Sequence, residues 1–433
     1  MSSHSIQRQV TSPANPAKDL FSKCYRWEDA KKLQAMGLYP YFRPITASTG
    51  NNVVTHGKRQ VMIGSNNYLG LTHDPRVMAA AKEAIEKYGT GCTGSRFLNG
   101  NLDLHEELEA RLAKFVGKQA ALCFSTGFFV NQGTLGCLVG RSDVIYSDRE
   151  NHASIVEGTQ VTLGDTVRFK HNDMADLERV LKNSREKYDG AMIVADGVFS
   201  MSGDVLNLPG IVELAQKYNC KVYVDDAHSL GVLGARGEGT GHHFNLNDQV
   251  DLVMGTFSKS FASIGGFIAG NADVVHYIKH KARPFIFSAA MSPAAVATAL
   301  KCLDIMETEP QHIEKLRKNA DYMNKNLKDL GFNTLNSTTP IIPLLIGDDA
   351  TTFVVTQKLC EAGVFVTPVV RPAVPEGCTL IRTSYMATHT QEDLDYALEN
   401  LEKIGKECGV LGNPERTEQL NKLALDHFGV HAN

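Results

Sequence analysis

The sequence alternates short apolar runs with helix-like stretches between about residues 120 and 270, and this alternation limits the fold more than any other feature. Short apolar runs bounded by turn residues predict buried strands, whereas the stretches at 174–182 and 208–218 have the apolar spacing of helices. Strands that alternate with helices predict a mainly parallel sheet with helices on both faces. The predicted strands lie at 120–124, 144–147, 167–170, 191–196, 221–225, 252–257 and 267–270.

With 433 residues, the chain is long enough for a large α/β domain with a smaller domain attached. Long helices and then shorter strands follow the alternation, which predicts a second, α+β domain. A further helix is predicted to end before Gly117. On this helix, His105 and Glu106 are expected to face solvent. The predicted divisions are an N-terminal extension with a helix at 1–60, a large α/β domain at 61–300, a small C-terminal α+β domain at 301–412 and a tail at 413–433. The predicted elements outside the alternation are helices at 18–38, 75–88, 293–307, 311–330, 391–408 and 418–427, and strands at 61–63, 341–345, 364–368 and 379–383.

Composition and targeting signals exclude several classes of function. The net charge of −4 argues against a general nucleic-acid binder. The nine cysteines form no CxxC pair and no zinc spacing with histidine, so no metal site is expected, and scattered thiols suit a reducing compartment. The N-terminus lacks the apolar core of a signal peptide, and no apolar run approaches the ~20 residues that span a bilayer. The protein is therefore expected in the cytoplasm, and peripheral contact with a membrane stays open.

Lys259 is the strongest candidate for a reactive group. It follows the apolar run 250–254, lies among the hydroxyl residues Thr256, Ser258 and Ser260, and precedes a pair of glycines. An amine at the end of a buried strand loses solvation when charged, so its pKa falls and the neutral, nucleophilic form becomes populated. Taken alone, the segment is better explained as a polar loop with a solvated lysine. The ends of the other strands overturn that interpretation.

Three other predicted strands end in polar groups that suit the same site. Gly127 and Phe128 open a predicted helix, where free backbone N–H groups and the helix dipole hold an anion such as phosphate. His152 begins another helix, either as a cap or core histidine or as a ring that stacks on a ligand. Asp225 lies at the buried end of its strand with His228 close by, so it needs a cationic partner. That partner is an arginine or lysine of the protein, or a protonated ring nitrogen of a bound cofactor.

Ligands of such sheets bind beyond the carboxyl ends of the strands, which brings these groups together. An anion nest, an imidazole, a buried carboxylate and a lysine are the parts expected around pyridoxal 5′-phosphate. The lysine holds the aldehyde as a Schiff base, the carboxylate keeps the ring nitrogen protonated, and hydroxyls with backbone N–H groups hold the phosphate. Each motif is weak on its own, but their order and spacing together predict this cofactor.

Seven motifs along the chain match one enzyme family. They are SNNYLGL at 65–71, GCTGSRFLNG at 91–100, NHASI at 151–155, DGVFSMSGD at 196–204, DDAHS at 225–229, GTFSKS at 255–260, and Arg382 with His389 and Thr390. From about residue 39 to 409 the chain thus resembles the α-oxoamine synthase family of fold-type I pyridoxal-phosphate enzymes. The resemblance implies an aspartate-aminotransferase-like α/β fold with a large, mainly parallel sheet domain and a small C-terminal α+β domain. It also implies a homodimer with active sites at the subunit interface.

The resemblance assigns the cofactor contacts residue by residue. It makes Lys259 the group that holds the cofactor and, once freed, removes the Cα proton of the amino acid. It places Asp225 on the ring nitrogen, His152 in a stack on the ring and His228 on the ring hydroxyl. The residues assigned to the phosphate are Thr256, Ser258, the backbone donors of Gly127 and Phe128, and the partner subunit's Ser288.

Substrate contacts and the reaction follow from the same resemblance. Arg382 binds the carboxylate of the amino acid, which a guanidinium matches bidentately; the alternative for this arginine is a surface salt bridge. Arg371 positions the carboxylate for decarboxylation, and Asn67 lies near the second subunit's site. The implied reaction is attack of the Cα carbon on an acyl-CoA thioester, with loss of CoA and carbon dioxide, to give a 2-amino ketone.

Three stretches favour the branch of the family that condenses L-serine with palmitoyl-CoA to 3-ketosphinganine, the first step of sphingolipid synthesis. They are the lysine motif at 255–260, the loop RPAVPEG at 371–377 and the segment RPFIFS at 283–288. The loop departs from the RPPATP pattern of that branch at Ala373 and Val374.

Other branches of the family remain as alternatives. Asp196 stands where the serine-using branch more often has a glutamate, and its motif also resembles the branch that makes 2-amino-3-ketobutyrate from glycine and acetyl-CoA. A further alternative is the branch that makes 8-amino-7-oxononanoate. The non-enzymatic alternative is an inactive partner subunit of a heterodimeric synthase, which the presence of Lys259 disfavours.

Overall fold

A computed structural model describes residues 19–429, in which helices and strands alternate along most of the chain. The helices are α1 (Ser22–Arg26), α2 (Asp29–Ala35), α3 (Pro75–Tyr88), α4 (Asp103–Phe115), α5 (Gly127–Leu138), α6 (Ala153–Gln160), α7 (Met174–Ser184), α8 (Leu208–Lys217), α9 (Thr240–His243), α10 (Ala272–Lys281), α11 (Arg283–Ile286), α12 (Pro293–Thr308), α13 (Gln311–Asp329), α14 (Asp349–Glu361), α15 (Gln391–Glu407) and α16 (Pro414–Phe428). The strands are β1 (Ile45–Ser48), β2 (Asn52–Thr55), β3 (Lys58–Met62), β4 (Ala120–Phe124), β5 (Asp143–Asp148), β6 (Asp165–Phe169), β7 (Gly190–Asp196), β8 (Lys221–Asp225), β9 (Leu252–Thr256), β10 (Gly266–Gly270), β11 (Ile341–Leu345), β12 (Val364–Phe365), β13 (Thr367–Val369) and β14 (Leu380–Ser384).

The alternating segment forms a seven-stranded sheet in the order β4-β10-β9-β8-β7-β5-β6. Strands β9, β8, β7, β5 and β6 pair in parallel, and β10 lies antiparallel between β4 and β9. The prediction of a mainly parallel sheet is confirmed. Because the parallel strands run the same way, the residues that follow β5, β7, β8 and β9 meet at one edge of the sheet.

Both faces of this sheet are covered. Val222 and Val224 of β8 belong to an apolar cluster with side chains of α7 and α8. Tyr223, between them, belongs to a second cluster with side chains of α5 and α10. Successive residues of a strand point to opposite faces, so this split means that helices pack against both sides.

The shorter strands form two further sheets, one with the order β1-β2-β3-β12 and one with the order β11-β14-β13. The single strand predicted at 364–368 was wrong. The chain breaks at Val366, so β12 pairs in parallel with β3 and β13 pairs antiparallel with β14. One straight strand cannot serve two separate sheets, and the sequence carries no sign of the two distant partners.

Residues 19–43 belong to a compact unit of their own. The single helix predicted at 18–38 was wrong in its described part, because α1 and α2 are separated by Trp27 in an extended conformation. Neither short helix buries a residue, and helices of this length are marginal without a packed apolar face. Residues 1–18 and 430–433, which include parts of the predicted extension and tail, lie outside the described residues.

Most other predicted boundaries agree with the structure within a few residues, including the tail helix, which is α16. The four divisions predicted from the sequence stay a prediction. Within residues 19–429 every helix is too short or too polar to cross a bilayer. The expected cytoplasmic location and the open question of peripheral membrane contact also stay at the level of prediction.

The expectation that His105 faces solvent was wrong. The ring is fully buried, its Nδ1 accepts from the backbone N–H of Leu102 at 3.2 Å, and its Nε2 lies 3.2 Å from the carbonyl oxygen of Met291. Burial lowers the pKa of His105 to about 4, so the ring is neutral at physiological pH. Two backbone partners compensate the buried imidazole, whereas Glu106 is exposed as predicted.

Candidate active site

A cavity of about 300 Å³ lies beyond the carboxyl ends of the parallel strands. Eight residues that the sequence analysis singled out line it: Gly127, Phe128, His152, Asp225, His228, Thr256, Ser258 and Lys259. The cavity is completed by Thr126, Ser154, Asp196, Val198, Ala227, Met254, Ile264 and Gly265. The structure therefore brings together residues that are up to 139 positions apart in the sequence.

Lys259 lies in the turn between β9 and β10. Its neighbours anchor it, because Phe257 is fully buried in the core and the hydroxyl of Ser260 donates to the carbonyl oxygen of Leu230 at 2.7 Å. Within residues 19–429 the Lys259 amine makes no hydrogen bond or ion pair. Burial lowers its pKa from 10.5 to about 8, although Asp225 and Asp196 oppose this shift. A substantial share of the amine is thus neutral near physiological pH, as a nucleophile or base requires.

Asp225 ends β8 and is 3% exposed. Its Oδ2 accepts from Nδ2 of Asn131 at 2.7 Å, and its Oδ1 accepts from the backbone N–H of Ala227 at 3.0 Å. In the described chain no lysine or arginine forms an ion pair with this carboxylate. The arginine or lysine that the sequence analysis considered as a partner of Asp225 is therefore not present as an ion pair among these residues. The carboxylate remains suited to a cationic group of a ligand.

The two imidazoles in the cavity are held through their Nδ1 atoms. His152 is the N-cap of α6, and its Nδ1 lies 2.7 Å from the hydroxyl of Ser154 and accepts from the Ser154 backbone N–H at 3.2 Å. The Nδ1 of His228 lies 2.6 Å from the hydroxyl of Tyr68. Burial lowers the pKa of His152 and lowers that of His228 well below the usual histidine value. Both rings are therefore neutral.

The end of the cavity at the N-terminus of α5 suits an anion. Thr126 caps the helix by accepting from the backbone N–H of Phe129 at 3.2 Å, and the hydroxyls of Thr256 and Ser258 lie 3.0 Å apart. A Cβ atom on Gly127 would lie 2.6 Å from the Thr256 hydroxyl, so only glycine fits there. Backbone donors, a helix dipole and two hydroxyls at one point form a phosphate-sized acceptor site.

Arg382 on β14 is buried, at 6% exposed. Its Nε donates to the carbonyl oxygen of Ser200 at 2.6 Å, and its Nη2 donates to Oδ1 of Asn66 at 2.9 Å. Its charge lowers the pKa values of Lys259 and His228, so it lies within electrostatic reach of the cavity. Arg382 forms no salt bridge with any of residues 19–429, so the structure does not support the alternative of a surface salt bridge.

Besides Arg382, three predicted residues do not line the cavity. Arg371 is exposed and pairs at 2.7 Å with Glu376, which is also exposed. Asn67 donates through Nδ2 to the hydroxyl of Thr72 at 2.9 Å, and its Oδ1 is buried without a hydrogen-bond partner in the described chain. Ser288 follows α11 and is partly buried. Their assigned roles stay predictions.

The sequence analysis missed Asn131, Tyr68 and Asp196 as site residues. Asn131 accepts from the Tyr223 hydroxyl at 2.5 Å and donates to both Ser154 and Asp225, but its mid-helix position carries no sequence signal. Asp196 ends β7 beside Asp225, a strand-end position that could have identified it. Its Oδ2 accepts from the backbone N–H of His152 at 3.0 Å, and burial raises its pKa well above the usual range.

These residues fit pyridoxal 5′-phosphate. Within residues 19–429 the amine of Lys259 makes no hydrogen bond or ion pair, and Asp225 forms no ion pair with a lysine or arginine. The cavity also reaches Gly127 beside Thr256, where a Cβ atom would not fit. An aldehyde, a protonated pyridine nitrogen and a phosphate are the complementary groups. The arrangement could therefore hold the cofactor that the sequence predicted.

Comparison with known proteins agrees with this assignment. The model of the family "Aminotransferase class I and II" matches residues 58–401. The chain belongs to this family. It is 52% identical over 393 residues to a serine palmitoyltransferase from Bacteriovorax stolpii, covering 91% of this chain and 94% of the relative. It is 44% identical over 384 residues to an 8-amino-7-oxononanoate synthase from Thermoanaerobacter pseudethanolicus, covering 89% of this chain and 97% of the relative.

A solved structure of the family shows the same fold. A variant of the serine palmitoyltransferase from S. paucimobilis, solved with pyridoxal phosphate and myriocin bound, superposes with a TM-score of 0.87 at 34% identity. The match covers 91% of this chain and 100% of that chain. The family resemblance and the fold-type I, aspartate-aminotransferase-like fold expected from the sequence are confirmed.

Proposed function

We propose that this enzyme is an acyltransferase that condenses L-serine with a long-chain acyl-CoA, palmitoyl-CoA, to give 3-ketosphinganine, CoA and carbon dioxide. One observation carries the proposal: Lys259, without a hydrogen bond or ion pair within residues 19–429, and the buried carboxylate of Asp225 line one cavity, and the buried Arg382 lies within electrostatic reach of it. The chain that carries this cavity is 52% identical over 393 residues to a serine palmitoyltransferase. Pyridoxal 5′-phosphate is the cofactor. When bound, it supplies an electron sink for the carbanion that forms at the Cα atom of the amino acid.

Lys259 holds the cofactor and then acts as the base at the Cα atom. With a pKa of about 8, roughly a tenth of the amine is neutral at pH 7, so a proton acceptor is present without a large energetic cost. Asp225, fixed by Asn131, keeps the ring nitrogen protonated. The neutral ring of His152 stacks on the cofactor, and His228 bonds its ring hydroxyl.

The phosphate is bound by the hydroxyls of Thr256 and Ser258 and by the backbone N–H groups of Gly127 and Phe128. Arg382 binds the carboxylate of L-serine, because a buried guanidinium with free donors matches two carboxylate oxygens. Arg371 and Asn67 complete the substrate contacts, with Arg371 moving from its exposed pair with Glu376 to position the carboxylate for decarboxylation. Substrate-dependent movement of that loop is consistent with the exposure of both partners.

A homodimer completes the site. Phe128 and Ile264 line the cavity yet are 40% and 58% exposed, and Phe287, next to Ser288, is 79% exposed. Apolar side chains left open beside a buried cavity are typical of a surface that another chain covers. We propose that a second copy of this chain covers them and adds its own Ser288 to the phosphate contacts.

The proposal is tested by turnover of purified enzyme loaded with cofactor. L-serine with palmitoyl-CoA should give 3-ketosphinganine, identified by mass spectrometry, and Lys259→Ala should abolish the product while the protein stays folded. Turnover of glycine with acetyl-CoA to 2-amino-3-ketobutyrate, in the absence of turnover of serine, would replace the proposed substrates. No condensation with any amino acid and acyl-CoA would favour the inactive-subunit alternative.

A further inference from the structure

Tyr68 links the arginine and one histidine of the site. The tyrosine is fully buried in the loop that follows β3, where its carbonyl oxygen accepts from the backbone N–H of Ala387 at 2.7 Å. Its hydroxyl lies 2.6 Å from Nδ1 of His228 and 3.5 Å from Nη2 of Arg382. The Tyr68 hydroxyl therefore contacts both Arg382, which is proposed to bind the substrate carboxylate, and His228, whose ring lines the cofactor cavity.

The chemistry of the three groups sets the direction of these hydrogen bonds. Arginine can only donate, so the Tyr68 oxygen accepts from Arg382 and keeps one proton to give. Burial raises the pKa of Tyr68, so the hydroxyl stays protonated. Among residues 19–429, the acceptors within hydrogen-bond distance of this proton are Nδ1 of His228 at 2.6 Å and Oδ1 of Asn66 at 3.4 Å. The shorter contact takes it, since Oδ1 of Asn66 already accepts from Arg382 at 2.9 Å.

The direction of the bond determines the tautomer of His228. An Nδ1 that accepts a proton carries none, so the neutral ring holds its proton on Nε2. Since Nδ1 is occupied by Tyr68, Nε2 is the ring nitrogen that remains for a ligand in the cavity that His228 lines. The ring thus offers a donor to the ligand. The other tautomer would offer an acceptor instead.

We propose that Tyr68 is a positioning residue that holds His228 in the tautomer protonated on Nε2 and connects that ring to Arg382. The inference rests on the proposed function for its consequence in catalysis, but the tautomer is a property of the protein itself. When a carboxylate takes donors of Arg382, the arginine's contact with Tyr68 changes and the change passes to His228. Amino acid binding and the donor offered to the cofactor are thereby coupled.

The tautomer can be measured by NMR on the cofactor-loaded enzyme labelled with ¹⁵N-histidine. The chain has 15 histidines, so the His228 signals are assigned from the spectrum of His228→Asn. We expect an unprotonated, pyridine-type signal from Nδ1 and a protonated, pyrrole-type signal from Nε2. In Tyr68→Phe the Nδ1 atom loses its donor, and the Nδ1-protonated form should appear. A proton on Nδ1 in the unmodified enzyme, or an unchanged ring in Tyr68→Phe, would overturn the proposal.

Kinetics separate this role from a structural one. Loss of one hydrogen bond predicts a fall in kcat of roughly 2- to 12-fold for Tyr68→Phe, with a smaller change in the KM for L-serine. The matched control is Tyr146→Phe, because Tyr146 is also fully buried and its hydroxyl lies 2.9 Å from that of Ser184. Neither residue lines the cavity. The control should keep both kcat and the His228 signals, and equal losses in both variants would contradict the proposal. Absence of all turnover in the unmodified enzyme, with the tautomer as expected, would instead reject the proposed function.

Discussion

Replacement of Lys259 by methionine should stabilise the cofactor-free protein at neutral pH. The amine is buried without a hydrogen bond or ion pair within residues 19–429, and burial lowers its pKa from 10.5 to about 8. One pKa unit corresponds to about 1.4 kcal/mol, so holding the charged lysine in the folded protein costs at most about 3.5 kcal/mol. Since the side chain is partly exposed, about 1.5–3 kcal/mol is the expected gain in free energy of unfolding.

The pH dependence of this gain has a defined sign. The folded protein releases the Lys259 proton near pH 8 and the unfolded chain near pH 10.5, so between these values the unfolded state binds more protons and stability rises with pH. The full free-energy cost of burying the charged Lys259 applies below pH 8, and this cost disappears above about pH 10.5. The advantage of Lys259→Met should therefore shrink steadily between pH 8 and 10.5.

The assay is urea unfolding of cofactor-free proteins at a series of pH values from 7 to 10. Lys325→Met is the matched control, because Lys325 is an exposed lysine on α13 and its replacement should change stability little at any pH. The reasoning fails if Lys259→Met is less stable than the unmodified protein at pH 7, or if its advantage is the same at pH 7 and pH 10.

Three further substitutions have defined outcomes. Arg382→Lys should raise the KM for L-serine by about 10- to 100-fold, measured by steady-state kinetics, because an ammonium cannot replace a bidentate guanidinium; an unchanged KM would remove Arg382 from the carboxylate site. Ser258→Ala should weaken cofactor binding by roughly 2- to 12-fold in a fluorescence titration, since one hydroxyl donor is lost, and unaltered affinity would contradict its phosphate role. Arg96→Met should cost about 3–5 kcal/mol of unfolding free energy, because Arg96 holds the buried carboxylate of Glu109 through contacts of 2.7 and 3.0 Å. Addition of Glu109→Gln should recover part of that loss, and no recovery would show that the uncompensated charge is not its cause.

The fold was largely predictable because its strands are short apolar runs with clear ends. β4 and β8 have the predicted limits, and the helix capped by Asp74 begins at Pro75 as its sequence indicates. The failures among the strands occur outside the seven-stranded sheet. β12 and β13 join different sheets, and the hairpin of β1 and β2 has no strong apolar pattern and was not predicted. No local pattern in the sequence shows which strands these segments pair with.

The residues of the candidate site also divide into those that could be predicted from the sequence and those that could not. Residues at or shortly after strand ends, such as Asp225 and His152, were found because strand ends of a parallel sheet converge. Residues that act through another side chain were missed. Asn131 supports Asp225 from 94 positions away and Tyr68 supports His228 from 160 positions away. Such pairs exist only after folding, so one sequence without its tertiary contacts cannot reveal them.

The central claim is that Lys259 holds pyridoxal 5′-phosphate at the carboxyl edge of the seven-stranded sheet. Borohydride reduction of the cofactor-loaded enzyme, followed by proteolysis and mass spectrometry, tests it directly. The account predicts a pyridoxyl group on the peptide that contains Lys259 and loss of the visible absorption band in Lys259→Ala. A label on a different lysine, or an active enzyme with no label at all, would contradict it.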